Sequence, residues 1–349
     1  MTLFMKSAFN IFRKKNPRAD IILALLSVII SFSATRFARA EENRPDFPSI
    51  KIGGYAKINC DWIISSNSTP TYTIPATRIE LKAAVSDDVS YNFSMDSAGG
   101  GTFKLYDSFI KLSYGRKGLF DARLGQFKYN FSREQSFPDA DLELINKSYV
   151  VTSLVSPTRE IGAEISKNFT ALPFKPFIAI GGFNGSGANT PAQNDYGLVT
   201  ARLVISPMEG FCLGGSYYDG KTGALKTDKK RHGYEICYEN RRADGIPLLL
   251  RGEYIAGLDG STDRNGYYLT AGYHIFPVAK WGYPEIMVLA RYDFYDTDTR
   301  NPDDEISRLT LGTIFQYDKF YSFRLNYEFR GETPSVSDDL LTSQFQVKF

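Results

Sequence analysis

The densest chemistry in this 349-residue chain lies between residues 129 and 157. Arg133, Glu134, Asp139, Asp141, Glu143 and Lys147 fall in that stretch, with Lys128 and Arg159 at its ends. Charges of both signs this close together sort ions when they face a confined aqueous space, where rings of side-chain charge act strongly. On an open surface the same residues are merely solvated. A second set of bases, Arg78, Lys82, Arg251, Arg291 and Arg324, occurs singly, each inside a run of alternating polar and apolar residues. The acids Glu80, Glu253, Asp293 and Glu328 are placed the same way and can pair with them. Mixed signs favour a general passage over a strongly selective one.

Bond-making chemistry is poorly provided for. The two histidines are His232, beside Lys229-Lys230-Arg231, and His274, near the end of an alternating run. No feature sets a serine and an acid beside either, as a catalytic triad requires. Cys60, Cys212 and Cys237 have no CxxC or metal-ligand spacing. A Cys212–Cys237 bridge is left open, since spacing alone does not support it. Gly181-Gly182-Phe183-Asn184-Gly185-Ser186-Gly187 lacks the Lys-Ser/Thr of a phosphate loop and reads as a flexible connection. Asp303-Asp304-Glu305 and Asp338-Asp339 read as solvated loop tips, with divalent-cation or lipopolysaccharide bridging the lesser reading. The expectation is no enzyme, no metal and no cofactor.

The elements that must position these groups are strands. Membrane strands need about 9–11 residues, apolar toward lipid and polar toward the lumen. In Phe323-Arg324-Leu325-Asn326-Tyr327-Glu328-Phe329-Arg330 the apolar residues share one face and the polar ones the other. Tyr267 to Ile275, Arg308 to Tyr317 and Phe345 to Phe349 repeat the theme. Sixteen such segments are predicted, at about 50–64, 76–86, 89–97, 104–114, 120–128, 158–167, 174–183 and 196–206, then 209–218, 232–240, 246–256, 265–275, 285–295, 306–317, 320–330 and 341–349. Short connections such as 86–88 and 318–319 alternate with long ones at 65–75, 129–157, 184–195, 219–231 and 331–340. The turn at 276–284 is longer than that pattern wants. The chain is 14% aromatic, with 22 Tyr and 26 Phe but only 2 Trp. That composition suits all-β structure.

Residues 1–40 read as a cleaved export signal. Arg13-Lys14-Lys15 and Arg18 precede an apolar run from Ile21 to Phe32, and Ala38-Arg39-Ala40 supplies a small-x-small cleavage site. An uncleaved anchor is the other reading, but the run is too short for the roughly 20 residues a spanning helix needs. The whole chain has net charge +2. The leader holds seven bases and one acid, so the remainder has 34 bases against 38 acids, net −4. Its basicity thus belongs to targeting and gives no support for a nucleic-acid partner. Residues 41–49 form a short N-terminal segment, and 50–349 one all-β domain. The expected fold is a closed transmembrane antiparallel β-barrel of about 16 strands, with short periplasmic turns and long external loops. Backbone groups cannot go unpaired in hydrocarbon, so an open sheet edge is excluded. A barrel of that size leaves an aqueous channel.

Leu124-Gly125-Gln126-Phe127-Lys128, with Phe131 and Glu134, resembles a segment of the phosphate-selective porin O and P family. Asn130 stands for the usual proline there, and Ser132 for the glycine. Arg78-Ile79-Glu80-Leu81 with Asp96, Tyr106-Asp107, Pro157-Thr158-Arg159-Glu160-Ile161-Gly162, Ala290-Arg291-Tyr292 and Leu325-Asn326-Tyr327 are further likenesses. Only the segment around Gln126 is specific. The resemblance implies a sixteen-stranded homotrimeric porin whose long loop, 129–157, folds inward to narrow the pore. The terminal Phe349 resembles the signal read by the barrel assembly machinery. The family's anion-selecting Arg ladders and Lys clusters have no residue-by-residue match here. The expected function is a water-filled channel in the bacterial outer membrane for passive diffusion of small hydrophilic solutes and ions, with anions such as phosphate among the candidates and lipid and lipopolysaccharide as its surroundings. A barrel with a mainly structural or adhesive surface role is the alternative. A soluble exported β-protein is the third.

Overall fold

A computed structural model describes residues 47–64, 68–97, 101–114, 118–155, 158–193, 196–240, 246–275, 285–332 and 338–349. The expected leader and the turn at 276–284 lie outside the described residues. The first eight strands are β1 (Ser49–Ile63), β2 (Thr71–Ala84), β3 (Val89–Asp96), β4 (Lys104–Tyr114), β5 (Phe120–Phe127), β6 (Glu160–Asn168), β7 (Phe177–Phe183) and β8 (Leu198–Ile205). They are followed by β9 (Phe211–Thr222), β10 (Thr227–Glu239), β11 (Leu248–Asp259), β12 (Thr262–Ile275), β13 (Glu285–Asp296), β14 (Glu305–Gln316), β15 (Tyr321–Glu332) and β16 (Leu340–Lys348). Each pairs antiparallel with its chain neighbours, and β1 pairs with β16 from Tyr55↔Lys348 to Ile63↔Leu340, closing the barrel. Phe349 completes the seam through two backbone hydrogen bonds with Gly54, of 3.0 and 3.1 Å.

Alternation explains the closure. In β15 the inward Arg324, Asn326 and Glu328 are buried, while the outward Leu325 and Phe329 are 41% and 43% exposed. Outward apolar residues continue round the wall, including Ile58, Ile180, Leu203, Leu269, Tyr292, Leu311 and Phe345. Outward aromatics stack between strands, as with Tyr267–Phe294 and Tyr317–Tyr321 at 5.5 and 5.3 Å. A continuous apolar exterior on a sheet without edges is a multi-pass transmembrane barrel, the architecture of bacterial outer-membrane proteins.

The long connection expected at 219–231 is corrected, and one further hairpin is tighter than the predicted strand bounds imply. The 219–231 segment is mostly strand, because β9 runs on to Thr222 and β10 starts at Thr227. The gap between the predicted 246–256 and 265–275 strands shrinks to residues 260–261, with Gly260 at φ +61° making the turn. Both hairpins carry charged pairs, Lys221–Asp228 and Arg264–Asp259, and there the apolar alternation fades. Cys212 and Cys237 are directly opposite on β9 and β10 and are disulfide-bonded. Cys60 is a free thiol.

The barrel is not hollow. The connection from β5 to β6 enters it and forms two short helices, α1 (Arg133–Ser136) and α2 (Tyr149–Leu154). Ser132 and Ser148 cap them, each accepting a backbone N–H three residues on, from Gln135 and Val151. Tyr129, Phe131, Val150, Val151, Leu154 and Val155 of this connection pack on Phe183, Leu198, Tyr218, Ile255, Tyr268 and Tyr295 of the inner wall. Burying six such side chains contributes on the order of 10 kcal/mol. That is enough to hold the connection inside against water.

Candidate functional site

Gly125-Gln126-Phe127-Lys128 shows how the chain enters the lumen. Gly125 has φ +132°, and a Cβ there would lie 2.2 Å from the Ser108 carbonyl oxygen, so only glycine fits. Gln126 Nε2 donates to the carbonyls of Leu105 and Tyr106 at 3.2 and 2.9 Å, and its Oε1 accepts the Asn189 N–H at 2.6 Å. It latches the start of β4 and the β7–β8 connection. Phe127 enters the interior apolar cluster. Lys128 then points at the loop's acid, with Nζ 2.7 Å from Asp139 Oδ1. The most specific sequence feature is therefore a hinge and latch with one functional group at its end.

Wall charges hold the loop by its backbone. Carboxylates accept its N–H groups: Glu253 those of Arg133 and Glu134 at 2.9 and 2.7 Å, Asp293 that of Tyr149 at 2.9 Å, and Glu164 that of Asn130 at 3.1 Å. Bases donate to its carbonyls: Arg291 to Asn146 and Lys147 at 2.9 and 3.1 Å, Arg231 to Leu154 at 3.0 Å, and Lys57 to Asp139 at 2.7 Å. Within the loop, Glu134 accepts the Ser148 N–H at 2.7 Å, which brings its two limbs together. Charge-assisted hydrogen bonds contribute about 1.5–3 kcal/mol each, so the strap has a fixed path.

Along its free edge runs a cavity of about 500 Å3, lined by groups including Tyr55, Lys57, Arg78, Tyr106, Lys147 and Arg159, with Arg291, Arg308 and Glu328 opposite. One carboxylate organises one side of it. Asp139 Oδ1 receives Lys128 and Lys147 at 2.7 and 3.0 Å, and Oδ2 faces Arg78 and Arg159 at 3.2 and 3.9 Å. Burial pushes its pKa up, but these cations win and hold it far below the usual carboxylate range. Arg78 also pairs with Asp96 at 2.8 Å, and Arg159 with Asp107 at 3.0 Å. Both guanidiniums lie over the Tyr106 ring, at 4.2 and 3.7 Å, and Arg308 lies over Tyr149 at 3.9 Å. Among the described residues this ring holds five bases, Lys57, Arg78, Lys128, Lys147 and Arg159, against three carboxylates, Asp96, Asp107 and Asp139.

The structure thus brings together Lys128, Asp139, Lys147, Arg159 and Arg78 and disperses the other sequence candidates. Arg133, Glu143 and Arg251 form a separate network with Glu239, in which Arg251 grips Glu143 at 2.8 and 3.0 Å and Glu239 at 2.8 Å. Glu134 and Arg291 hold the loop. Asp141 pairs with Lys348 near the chain terminus. Arg324 bonds Gln344 and Gln346 across the wall. Lys82 sits at the β2 end beside Glu80, its side chain 65% exposed and away from the cavity. Sequence reasoning misses Lys57, Arg308 and Tyr55. Alternation places each on an inward face, but nothing marks these three above the other inward polar residues.

No family model matches the chain, and no curated protein sequence matches it. Solved structures do. OmpTΔL8, a loop-deletion mutant of an outer membrane protein of Vibrio cholerae, superimposes with a TM-score of 0.64 at 11% identity, over 87% of this chain and 100% of that one. OprB of Pseudomonas putida gives 0.63 at 14%, over 86% and 94%. An anion-selective porin from Comamonas acidovorans gives 0.61 at 14%, over 86% and 99%. The chain has the fold of outer-membrane porins.

Proposed function

We propose that this protein is a passive, water-filled channel of the bacterial outer membrane whose narrowest passage favours small anions. The observation that carries the reading is the ring of five bases and three carboxylates beside an open cavity. A charged ring in a confined space acts on every ion that passes. The net −4 of the exported chain does not oppose this, because selectivity is set locally. The resemblance to phosphate-selective porins points the same way, with phosphate-sized oxyanions as the solutes. Nothing in this reading requires an enzyme. Phe349, paired at the seam with its apolar face outward, serves the assembly machinery, and the loops meet lipopolysaccharide.

A homotrimer completes the proposal. Strands β5 to β8 have only seven to nine residues, and their outward side chains include the aliphatic Leu124, Ile178, Ile180 and Leu203. A wall that short falls below the roughly 25 Å apolar band of a lipid-facing barrel and suits contact with another copy.

Planar-bilayer recording of the purified protein tests the channel. Stepwise conductance is expected, with a reversal potential in a potassium chloride gradient on the chloride side. A silent bilayer or a potassium-side potential defeats the reading. The same recording should show pH dependence. Burial pushes Lys128 down to about 7, with Asp139 opposing and Lys147 and Arg159 assisting. Burial pushes Glu134 up to about 7, against Arg291. Both gain a proton as pH falls through about 7, and both gains make the lumen more positive. Chloride preference therefore rises from pH 8 to pH 6.

A further inference from the structure

Asp139 is the one carboxylate of the ring that comes from the loop rather than the wall, and it is over-supplied with cations. Two contact each of its oxygens, where a single partner satisfies an ordinary ion pair. A bidentate oxygen pair held by guanidinium and ammonium donors is also how a protein grips a free carboxylate or phosphate group. Beside it, the Tyr55 hydroxyl is buried on the wall of the same cavity, with no hydrogen-bond partner among the described residues. It supplies one further donor that Asp139 does not use.

We propose that Asp139 is a built-in occupant of an anion seat. Its carboxylate stands where a compact oxyanion, carboxylate or tetrahedral, would otherwise sit among Arg78, Lys128, Lys147 and Arg159. The tethered acid competes with every passing anion, so the channel conducts anions without holding them. This rests on the anion-channel reading and adds to it a residue that sets retention.

The loop does not depend on that side chain for its place. Lys57 bonds the Asp139 carbonyl at 2.7 Å, Gln346 bonds the Ala140 carbonyl at 2.9 Å, and Lys128 also bonds the Phe137 carbonyl at 3.1 Å. Asp139→Ala therefore leaves a vacated seat, and Asp139→Asn keeps the shape while removing the charge. The probes are inorganic phosphate and acetate. Isothermal titration of detergent-solubilised protein should show phosphate binding at least about tenfold tighter in Asp139→Ala than in wild type, or about 1.4 kcal/mol. Asp139→Asn should fall between them. In bilayers, millimolar phosphate or acetate should block the chloride current of Asp139→Ala at correspondingly lower concentration.

Unchanged binding in both variants overturns the proposal. So does a rise in conductance and flicker without tighter block, since Asp139 would then be only a loop tether. The titration needs no conduction. A wild-type protein silent in bilayers would sink the channel reading while the seat is still judged by binding. A conducting, anion-preferring wild type whose variants bind no tighter sinks the seat alone.

Discussion

Replacing residues 137–146 by a short glycine–serine linker is expected to raise single-channel conductance several-fold and flatten ion preference. The ends of this strap already meet. Ser148 N–H bonds Glu134 at 2.7 Å, and Lys147 Nζ bonds Gln135 at 3.0 Å, so a few residues can bridge the gap. The apolar anchors on either side, Phe131 before and Val150, Val151 and Leu154 after, stay packed on the wall. What disappears is Asp139, the Asp141–Lys348 and Glu143–Arg251 pairs, the buried Leu144, and the carbonyls that Lys57, Gln346 and one branch of Arg291 hold. Sixteen strands spaced about 4.8 Å apart and tilted about 40° give a backbone diameter of roughly 30 Å. The resistance to current therefore lies with the strap, not the wall. Once it is gone, charges left on facing walls are separated by more than the Debye length of about 8 Å at physiological salt, and their hold on passing ions fades. Heat-modifiable migration on a denaturing gel checks that the barrel still forms. An unaltered conductance in a correctly folded variant means the strap is not the bottleneck.

The barrel is legible where each strand has lipid on one side and a polar lumen on the other. Phe323–Arg330 alternates cleanly because every outward residue must be apolar, and β15 has that register. Legibility fails in two physical situations. At 219–231 the strand residues Lys221, Thr222, Thr227 and Asp228 are polar on both faces and look like loop. Beside the inserted connection, Phe183, Leu198 and Ile255 point inward yet are apolar, because their partner is another part of the chain and not water.

The site divides the same way. The length and charge of 129–157 mark the inward segment, and Lys128, Asp139, Lys147 and Arg159 are visible within it. Which wall groups face solute is not visible. Glu253 and Asp293 have the pattern of lumen lining but are used up on loop N–H groups. Lys57 and Arg308, equally ordinary in sequence, face the cavity. That distinction depends on strand register and on the path of the strap, neither of which local pattern encodes.

Charge, not width, should decide what passes while the strap is in place, and the double variant Lys57→Glu, Lys147→Glu should reverse the preference. It changes five bases against three carboxylates into three against five, moving the ring from +2 to −2. Both introduced carboxylates have partners. The one at position 57 lies within the influence of Arg324 and Arg78, which already act on Lys57. The one at position 147 stays near Lys128 and Arg159, which the loss of Lys147 leaves with Asp139 as shared counterion. The variant gives up the Lys57 bond to the Asp139 carbonyl and the Lys147–Gln135 bond, but the loop keeps its apolar anchors, the Glu253 and Asp293 clasps and the Gln346 bond to the Ala140 carbonyl, so pore width is little altered. One unit charge about 8 Å from a passing ion acts with about 2 kcal/mol at an effective dielectric of 20, and salt screening removes a large part of that. Four units of change still leave more than the roughly 1.4 kcal/mol that makes a factor of ten. The chloride-to-potassium permeability ratio should therefore fall by at least about tenfold and cross unity, with a larger fall in about 0.05 M salt than in about 1 M. Making the same four-unit change outside the ring, with Lys82→Glu and Lys348→Glu, is the comparison that should move it far less. If both double variants shift the ratio alike, selectivity belongs to the summed field of the barrel, and the ring around Asp139 has no special place in it.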